Sequence, residues 1–395
     1  MTSNMLIAQS GGPSMVINRS LVGAVLTARA DRRVGRIYGA RHGIQGILDG
    51  RYVDLRAENR ANLMAVAATP SSALGSVRRK PTPEDCAAIF RALQRLGVRW
   101  FFYIGGNDSA ETVHIIDREA QRAGCELACF HIPKTIDNDL RSNDHTPGFG
   151  SAAKFVACAV LGDDLDNRAL GGVKIDVVMG RHAGFLTAAA ALARRRPGDG
   201  PHLIYLPERP FDLDRFVADV QAAVKRHGRC VVAVSEGIAD RDGTPIVAKF
   251  LQETDAHGNV QLSGSGALGD LLADAVRAKA GIKRVRADTF GYLQRSFPGV
   301  VSATDAAEAW QAGVQAVRTA LAGRLRSGSI AILRKAGARY GVRFAPVPLA
   351  AVARETRHMP PAFINRAGND VTAAFLAYAR PLVGPLPPVA HLRGT

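Results

Sequence analysis

The 395-residue sequence lacks several features that would assign it to a specialised class of protein. It has only five cysteines and no C-x-x-C pair, which argues against a disulfide framework and fits reduced thiols in a cytoplasm. No apolar run approaches the ~18 residues that a membrane span needs. The start, "MTSNMLIAQSGG", has neither the basic region nor the cleavage-like site of a secretory signal. We therefore expect a cytoplasmic protein that is not bound to a membrane.

Acidic residues are also in short supply. The chain has 51 Lys and Arg against 35 Asp and Glu, which gives a formal net charge of +16. Such a charge is compatible with nucleic-acid binding, but the basic residues are scattered and form neither a basic tail nor a stripe interleaved with aromatic residues. The charge therefore favours small anionic ligands over nucleic acid.

Short apolar runs alternate with amphipathic runs, which predicts an α/β protein with parallel sheets covered on both faces. Thr82 is a suitable N-cap, Pro83 suits the first helical position, and a helix is expected over 82–97. The proline-rich tail at 379–395 is expected to be irregular. Strands are predicted at 4–10, 98–104, 126–132, 173–179, 202–207, 229–235 and 284–290, and further helices at 14–30, 109–124, 184–196 and 268–281.

Ligands of such sheets bind beyond the carboxyl ends of the strands, so the loops that follow the strands are the candidate site. Each loop taken alone also fits an ordinary turn. Together they place glycines, Lys, Arg, Asp and Glu at several strand ends of one protein, which indicates phosphoryl transfer. The six loops are "SGGPS" (10–14), "GGNDS" (105–109), "IPKTIDNDL" (132–140), "VVMGRHAGF" (177–185), "VSEG" (234–237) and "DTFGYLQRSFPG" (288–299).

The loop after the third strand carries two carboxylates, Asp137 and Asp139. If the loop is extended, both point the same way and lie about 7 Å apart. One can then act as a base while the other holds Mg²⁺; a solvated acidic loop is the alternative. Asp108 raises a separate question, because a carboxylate is unwelcome in a glycine-rich phosphate loop and could simply cap a helix.

The later loops carry groups suited to a sugar phosphate. Arg181 follows a strand and a glycine, a position typical of an anion clamp, whereas the adjacent His182 is more often structural. Glu236 at a strand end is suited to sugar hydroxyls. Tyr292 and Arg295 together could hold the sugar phosphate.

The motifs "GGNDS", "PKTIDNDL", "MGRHAG", "SEG" and "GYLQR" occur in the order in which phosphofructokinases carry them, over roughly three quarters of the chain. The sequence resembles that family, and within it the pyrophosphate-dependent branch. Most ATP enzymes have glycine where this chain has Asp108 and Lys134. The resemblance implies that Asp108 occupies the space of an ATP α-phosphate. Two like charges ~4 Å apart repel by roughly 4 kcal/mol at an effective dielectric of 20, which would add to the steric overlap.

The resemblance implies that pyrophosphate phosphorylates fructose 6-phosphate at its 1-hydroxyl, giving fructose 1,6-bisphosphate and phosphate reversibly. Asp137 would be the base, and Lys134, Asp108 and Arg181 the other catalytic residues. Gly12, Arg78 and Lys134 would bind the donor, and Asn107 and Asp139 would lie near Mg²⁺. Fructose 6-phosphate would be bound by Thr135, Ile136, Asp137, Met179, Gly180, Arg181, Glu236, Arg286, Tyr292 and Arg295.

The same resemblance implies two Rossmann-like three-layer domains with the active site in the cleft between them. The donor domain would comprise 1–148 and about 294–345, and the sugar domain 149–293 and about 346–395. Relatives are homo-oligomers, which implies a homodimer or homotetramer here, and Arg286 could reach a site across a subunit interface.

Two departures leave alternatives open. Asn107 stands where many relatives have a metal-binding aspartate, and Tyr292 replaces a histidine of the ATP enzymes. An ATP-dependent enzyme, or a kinase of another sugar phosphate such as sedoheptulose 7-phosphate, is the alternative activity. A polyanion-binding protein without catalysis is the alternative class.

Overall fold

The computed structural model describes residues 2–249, 266–337, 339–353, 355–390 and 392. The chain divides into two compact units. Unit 1 comprises Met1–Phe149 and Arg295–Arg357, and unit 2 comprises Gly150–Gln294 and His358–Thr395. The second stretch of unit 1 thus ends at Arg357 and not near 345. Leu349 is buried in the core of unit 1, and Arg357 donates hydrogen bonds to the carbonyl of Asn138, so both residues stay with this unit.

Strands and helices alternate along the described chain. The strands are β1 Ser3–Gln9, β2 Val34–Ala40, β3 Tyr52–Asp54, β4 Val98–Gly105, β5 Ala128–Pro133, β6 Gly172–Val178, β7 Leu203–Tyr205, β8 Arg229–Ser235, β9 Val285–Thr289, β10 Ser327–Arg334 and β11 Val342–Val347. The helices are α1 Ile17–Arg29, α2 Ile44–Leu48, α3 Arg60–Ala68, α4 Pro83–Arg95, α5 Asn107–Arg122, α6 Phe149–Leu170, α7 Phe185–Ala188, α8 Leu213–His227, α9 Ala267–Ala280, α10 Leu293–Ser296, α11 Ala303–Ala322 and α12 Ala373–Val383.

Unit 1 is built on a sheet of order β11-β10-β5-β4-β1-β2-β3. The pairs between β2 and β10 are parallel, and the two edge strands, β3 and β11, are antiparallel to their neighbours. Alternate residues of β1 enter different cores: Met5 and Ile7 pack with α1 and α11, whereas Leu6 and Ala8 pack with α4 and α5. This alternation gives three layers, because successive side chains of a strand point to opposite faces.

Unit 2 is built on a parallel sheet of order β7-β8-β6-β9. Val173, Ile175 and Val177 of β6 pack into a core with α8 and α9. The intervening residue Lys174 faces the other way, where its ammonium group meets Asp163 of α6. The predicted α/β architecture of two domains is confirmed.

The structure confirms some element boundaries and corrects others. Thr82 and Asp85 form a capping box at the start of α4, with Pro83 at the first helical position. The run predicted as a helix at 184–196 is instead the short helix α7 followed by a 3-10 segment, Ala189–Ala193. The tail is helical to Val383 despite Pro381, because Phe375, Ala379 and Leu382 form a buried face that holds the last turn of α12. No helix in the described part of the chain is long and apolar enough to cross a membrane.

Candidate active site

Three of the predicted loops meet at one edge of the unit 1 sheet. The strands β5, β4 and β1 are adjacent and parallel, so their carboxyl ends lie side by side. The loops 10–14, 105–109 and 133–140 follow these ends directly. The sheet topology therefore assembles the glycines, Lys134 and the two carboxylates of the third loop in one region.

The two glycines of the loop after β1 lie against cationic side chains. Gly11 has a φ of +71°, which side-chain-bearing residues rarely adopt, and its amide donates to the carbonyl of Val77 at 3.1 Å. A Cβ on Gly12 would lie 2.7 Å from a guanidinium nitrogen of Arg295 and 3.9 Å from one of Arg78. The backbone at Gly12 is thus exposed to two cationic side chains, as close approach to an anion requires.

Lys134 completes this arrangement from the loop after β5. Its side chain is buried, and its ammonium group donates to the carbonyl of Gly12 at 2.6 Å. We call Gly12, Arg78, Lys134 and Arg295 the donor cluster. Arg295, which the sequence assigns to the sugar phosphate, belongs to this cluster in unit 1.

The environment of Lys134 disfavours its charge. Burial, with a smaller contribution from the positive charges of Arg295 and Arg78, lowers the pKa of this lysine to about 7, against the opposing effect of Asp137 and Asp139. An anion bound here would supply the missing negative charge. The electrostatics of the donor cluster therefore favour an anionic ligand over a cationic one.

The loop after β4 brings Asn107 and Asp108 to the start of α5. A Cβ on Gly105 would lie 1.9 Å from the hydroxyl of Ser109, so the turn requires glycine. The amide oxygen of Asn107 accepts the backbone N–H of Asp108 at 2.9 Å. The Asp108 side chain is 70% exposed and pairs with Lys80 at 3.3 Å. The Asp108 side chain therefore does not accept the N-cap hydrogen bond that a simple helix cap would accept, and it projects from the helix start.

The acidic loop is not extended, which corrects the geometry expected for Asp137 and Asp139. Asn138, between them, has a φ of +60°, so the spacing of alternate residues in a strand does not apply. The hydroxyl of Thr135 accepts the N–H of Asp137 at 3.1 Å. Arg357 fixes the loop from the other side, because it donates to the carbonyl of Asn138 and its own N–H donates to the carbonyl of Asp139.

These residues fit a hard divalent cation. Asp137 and Asp139 both raise the pKa of Lys134, which places their negative charges near the donor cluster. Carboxylate and amide oxygens are the ligands that Mg²⁺ takes, and Mg²⁺ is usually held by one or two carboxylates together with substrate phosphates. The oxygen of Asn107 already accepts one hydrogen bond, so the carboxylates offer the stronger ligands.

Unit 2 forms a second group of predicted residues at the ends of β6 and β8, which are paired neighbours. Gly180 has a φ of +137°, and its N–H donates to Glu236 at 3.5 Å. The N–H of Met179 donates to the side chain of Gln294 at 3.2 Å, and the hydroxyl of Ser235 donates to the carbonyl of Gly180 at 2.7 Å. Hydrogen bonds within this unit thus fix the backbone that carries Arg181.

The remaining two residues lie at different places, Arg286 on β9 and Tyr292 beyond its end. Tyr292 follows the carboxyl end of β9 and is 47% exposed. Arg286 is the second residue of β9 and is paired with Lys174 near the start of β6. It therefore stands about four residues, or ~13 Å, before the strand end that carries Met179. Unit 2 does not bring Arg286 to this group.

Sequence reasoning missed several residues that hold the site. Lys80 pairs with Asp108 and with Glu111, but in the sequence it is only one more member of a basic run, "RRK". Gln294 is fully buried and fixes Met179, yet glutamine inside "GYLQR" carries no local signal of burial. Arg357 lies more than 200 residues from the loop that it holds.

A glycine loop beside a buried lysine at the ends of parallel strands is typical of a phosphate-binding α/β protein. A family model described as "Phosphofructokinase" matches residues 4–320. The chain belongs to the phosphofructokinase family, as its motifs predict.

The chain is similar to curated proteins named pyrophosphate--fructose 6-phosphate 1-phosphotransferase. That of Rhodospirillum rubrum is 57% identical over 96% of this chain and 94% of its own, and that of Xanthomonas campestris is 41% identical over 98% and 93%. Among solved structures, a pyrophosphate-dependent phosphofructokinase from Marinobacter aquaeolei matches with a TM-score of 0.87 at 32% identity, over 98% of this chain and 94% of that one.

Proposed function

We propose that this protein is a pyrophosphate-dependent 6-phosphofructokinase. It transfers a phosphoryl group from pyrophosphate to the 1-hydroxyl of fructose 6-phosphate, giving fructose 1,6-bisphosphate and phosphate, in either direction, in glycolysis and gluconeogenesis. The observation that carries the proposal is the buried Lys134 at the Gly12 carbonyl, next to a helix that begins with Asn107 and Asp108. The names and identities of the relatives support the same reaction.

The donor cluster binds pyrophosphate and neutralises the negative charge that shifts onto the leaving phosphate during the reaction. Backbone at Gly12 contacts one phosphate, and Lys134, Arg78 and Arg295 surround it. As the bond from the transferred phosphorus to the bridging oxygen breaks, negative charge grows on the leaving phosphate. Positively charged groups that are already in place stabilise that charge without reorganising, which is commonly the largest contribution to such catalysis.

Asp137 takes the proton of the sugar 1-hydroxyl as its oxygen bonds to phosphorus, and in reverse Asp137 returns that proton. The backbone N–H of Asp137 donates to the hydroxyl of Thr135, and Arg357 donates to the carbonyl of the next residue, Asn138. These contacts set the position of the Asp137 carboxylate. Bound Mg²⁺ would supply further charge neutralisation at the donor oxygens. Asp139, with Asn107 as a neutral neighbour, would hold it.

Asp108 selects the donor. Its exposed side chain stands at the start of α5. The resemblance assigns this space to the α-phosphate of ATP, which pyrophosphate lacks. Exposure and the Lys80 ion pair weaken its charge effect, so repulsion contributes closer to ~1 kcal/mol, the value in water, than to ~4 kcal/mol. Steric exclusion then accounts for most of the discrimination against ATP.

The sugar phosphate binds to the group in unit 2 together with the acidic loop. Arg181 clamps the anion, Glu236 accepts from sugar hydroxyls, and Tyr292 donates its hydroxyl to a phosphate oxygen. Thr135, Ile136, Met179 and Gly180 line the sugar. Arg286 stands apart from this group in its own subunit, which supports a role across the interface of a homodimer or homotetramer.

The proposed partners are pyrophosphate, fructose 6-phosphate, fructose 1,6-bisphosphate and phosphate, met in the cytoplasm. Neither nucleic acid nor a membrane surface is among them, because the excess of basic residues is scattered along the chain.

The deciding experiment is an assay with pyrophosphate or ATP as donor, coupled to aldolase, with fructose 6-phosphate or sedoheptulose 7-phosphate as acceptor. We expect turnover with pyrophosphate and fructose 6-phosphate, and formation of pyrophosphate from the products. Efficient turnover with ATP and none with pyrophosphate would overturn the donor assignment. A higher kcat/KM for sedoheptulose 7-phosphate would overturn the acceptor assignment.

A further inference from the structure

Three carboxylates lie together in unit 2, outside the groups proposed for catalysis. Asp163 is on α6, Asp176 is in the middle of β6 and Asp288 is on β9, and one oxygen of each lies within 4.8 Å of the others. Asp176 and Asp288 are direct neighbours across the two strands. The cluster therefore joins a helix, an inner strand and the edge strand of this sheet.

Asp176 is the unusual member of the cluster. It is fully buried, and neither of its carboxylate oxygens has a hydrogen-bond partner among the residues that the structure describes. A buried carboxylate without a partner is strongly disfavoured. Burial, together with the charge of Asp163, raises the pKa of Asp176 well above its usual range. Something positive is thus missing next to this side chain.

Lys174 supplies only part of the compensation. Its ammonium group lies 3.4 Å from Asp163 and also contacts Asp288. One ammonium against three ionised carboxylates leaves two negative charges beside the buried Asp176. A divalent cation would balance that charge, whereas a single proton on Asp176 would balance half of it.

We propose that Asp163, Asp176 and Asp288 form a binding site for a divalent cation of the size of Ca²⁺. Ca²⁺ takes oxygen ligands at 2.3–2.6 Å, so oxygens on opposite sides of it lie about 4.6–5.2 Å apart, whereas Mg²⁺ holds such oxygens within ~4.2 Å. The three oxygens all lie within 4.8 Å of one another, a spacing that the ligands of one Ca²⁺ can span. Asp288 is 60% exposed, which gives the ion a route from solvent and leaves room for water ligands.

This site is separate from the Mg²⁺ proposed at the pyrophosphate, because its three ligands all belong to unit 2. Lys174 and the cation compete for the same two carboxylates, Asp163 and Asp288. Bound cation would fasten α6 and β9 to β6, the strand whose end carries Met179 to Arg181. The cation thus has a structural role beneath the proposed sugar site.

The test is calorimetric titration of the chelator-treated full-length protein with Ca²⁺, without pyrophosphate. We expect wild type to bind one more Ca²⁺ per chain than Asp176→Asn, and its melting temperature to rise by a few degrees with millimolar Ca²⁺. Lys174→Met should bind about tenfold more tightly, since the competing ammonium is gone. Asp274→Asn, which alters an exposed ion pair with Arg277 in the same unit, is the matched control and should behave as wild type.

Asp288→Asn serves as a second variant, because its exposed side chain can change without leaving a buried group unpaired. Loss of the additional Ca²⁺ in Asp288→Asn supports the proposal even if Asp176→Asn does not fold. Equal Ca²⁺ binding by wild type, Asp176→Asn and Asp288→Asn overturns it. A shared proton between Asp163 and Asp176 is the rival explanation. The shared proton is indicated if Ca²⁺ neither binds to wild type nor raises its melting temperature, while Asp176→Asn melts higher than wild type in chelator. That result also overturns the proposal.

Discussion

The two units position their proposed ligands by different means. In unit 1, charged side chains approach a bare glycine backbone, and one of them, Lys134, is buried at a cost to its own charge. In unit 2, the hydrogen bonds at the strand ends are mostly made by backbone N–H groups with Gln294 and Glu236. The proposed site of unit 1 thus depends on charged side chains, and that of unit 2 depends on a backbone held by hydrogen bonds.

This difference follows from what each proposed ligand undergoes. Charge moves on the phosphoryl donor during the reaction, so its site requires strong fixed charges that act in the transition state. The sugar is held with little change of charge, so its site requires a rigid backbone. Substitutions in unit 1 should therefore lower kcat, whereas substitutions in unit 2 should mainly raise KM for the sugar phosphate.

Asp137→Asn is expected to have the largest effect. An amide cannot accept the proton of the sugar hydroxyl, so kcat should fall by about 10³-fold, within the range of general-base catalysis. Steady-state kinetics in both directions measure the loss, and the KM for pyrophosphate should change little. Retention of more than a tenth of wild-type kcat would show that Asp137 is not the base.

Lys134→Met should lower kcat with pyrophosphate by about 10²–10³-fold, as the loss of one transition-state donor does in other enzymes. The folded protein lowers the pKa of Lys134, so the unfolded chain binds the proton more tightly, and this lysine destabilises the fold below pH 10.5. The variant should therefore melt no lower than wild type, which separates lost catalysis from unfolding. Lys225→Met, an exposed lysine of α8, is the matched control and should retain full activity.

Pyrophosphate binding should be linked to proton uptake through the same lysine. In the free protein Lys134 loses its proton near pH 7, and bound pyrophosphate should raise its pKa again. The affinity for pyrophosphate should then be highest below pH 7 and should fall by up to about tenfold per pH unit above pH 7. Calorimetry in buffers of different ionisation enthalpy should detect the uptake at pH 8. An equal uptake in Lys134→Met would exclude this lysine as its source.

Glu236→Gln tests the second unit. Glutamine can still accept the N–H of Gly180 but loses the charge offered to sugar hydroxyls. Charge-assisted hydrogen bonds contribute ~1.5–3 kcal/mol, so KM for fructose 6-phosphate should rise by about 10–100-fold while kcat changes little. Glu126→Gln, at an exposed glutamate of unit 1, is the control. A drop in kcat with unchanged KM would contradict the division of labour between the units.

Local patterns predicted the parts of the structure that depend on local sequence. The buried strand predicted at 98–104 is β4, Val98–Gly105, because a short apolar run before a glycine turn is typical of a covered parallel strand. The helix at 82–97 followed from Thr82 and Pro83, whose capping roles need no tertiary partner. Parallel order then places the strand-end loops together without further information.

What depends on distant partners could not be predicted. The position of Arg295 beside Gly12 joins residues almost 300 positions apart, and many other arginines of this chain could equally have filled it. Asn138 adopts a left-handed conformation where Arg357 holds its carbonyl, so the extended loop assumed for Asp137 and Asp139 was wrong. The ion pair between Lys80 and Asp108 likewise could not be predicted, and it weakens the expected repulsion between Asp108 and ATP.

The smallest effect is expected from removing the charge of Asp108, and two substitutions separate the charge of this side chain from its size as causes of discrimination against ATP. Asp108→Asn removes the charge and keeps the size, so the kcat/KM ratio of pyrophosphate to ATP should fall by only about fivefold, the equivalent of ~1 kcal/mol. Asp108→Gly also removes the side chain and should lower the ratio further. Lys80→Met leaves the carboxylate without its ion pair and should raise the ratio slightly. If Asp108→Asn alone lowers the ratio as far as Asp108→Gly does, charge and not space is the filter, and the exposed setting of Asp108 does not weaken it.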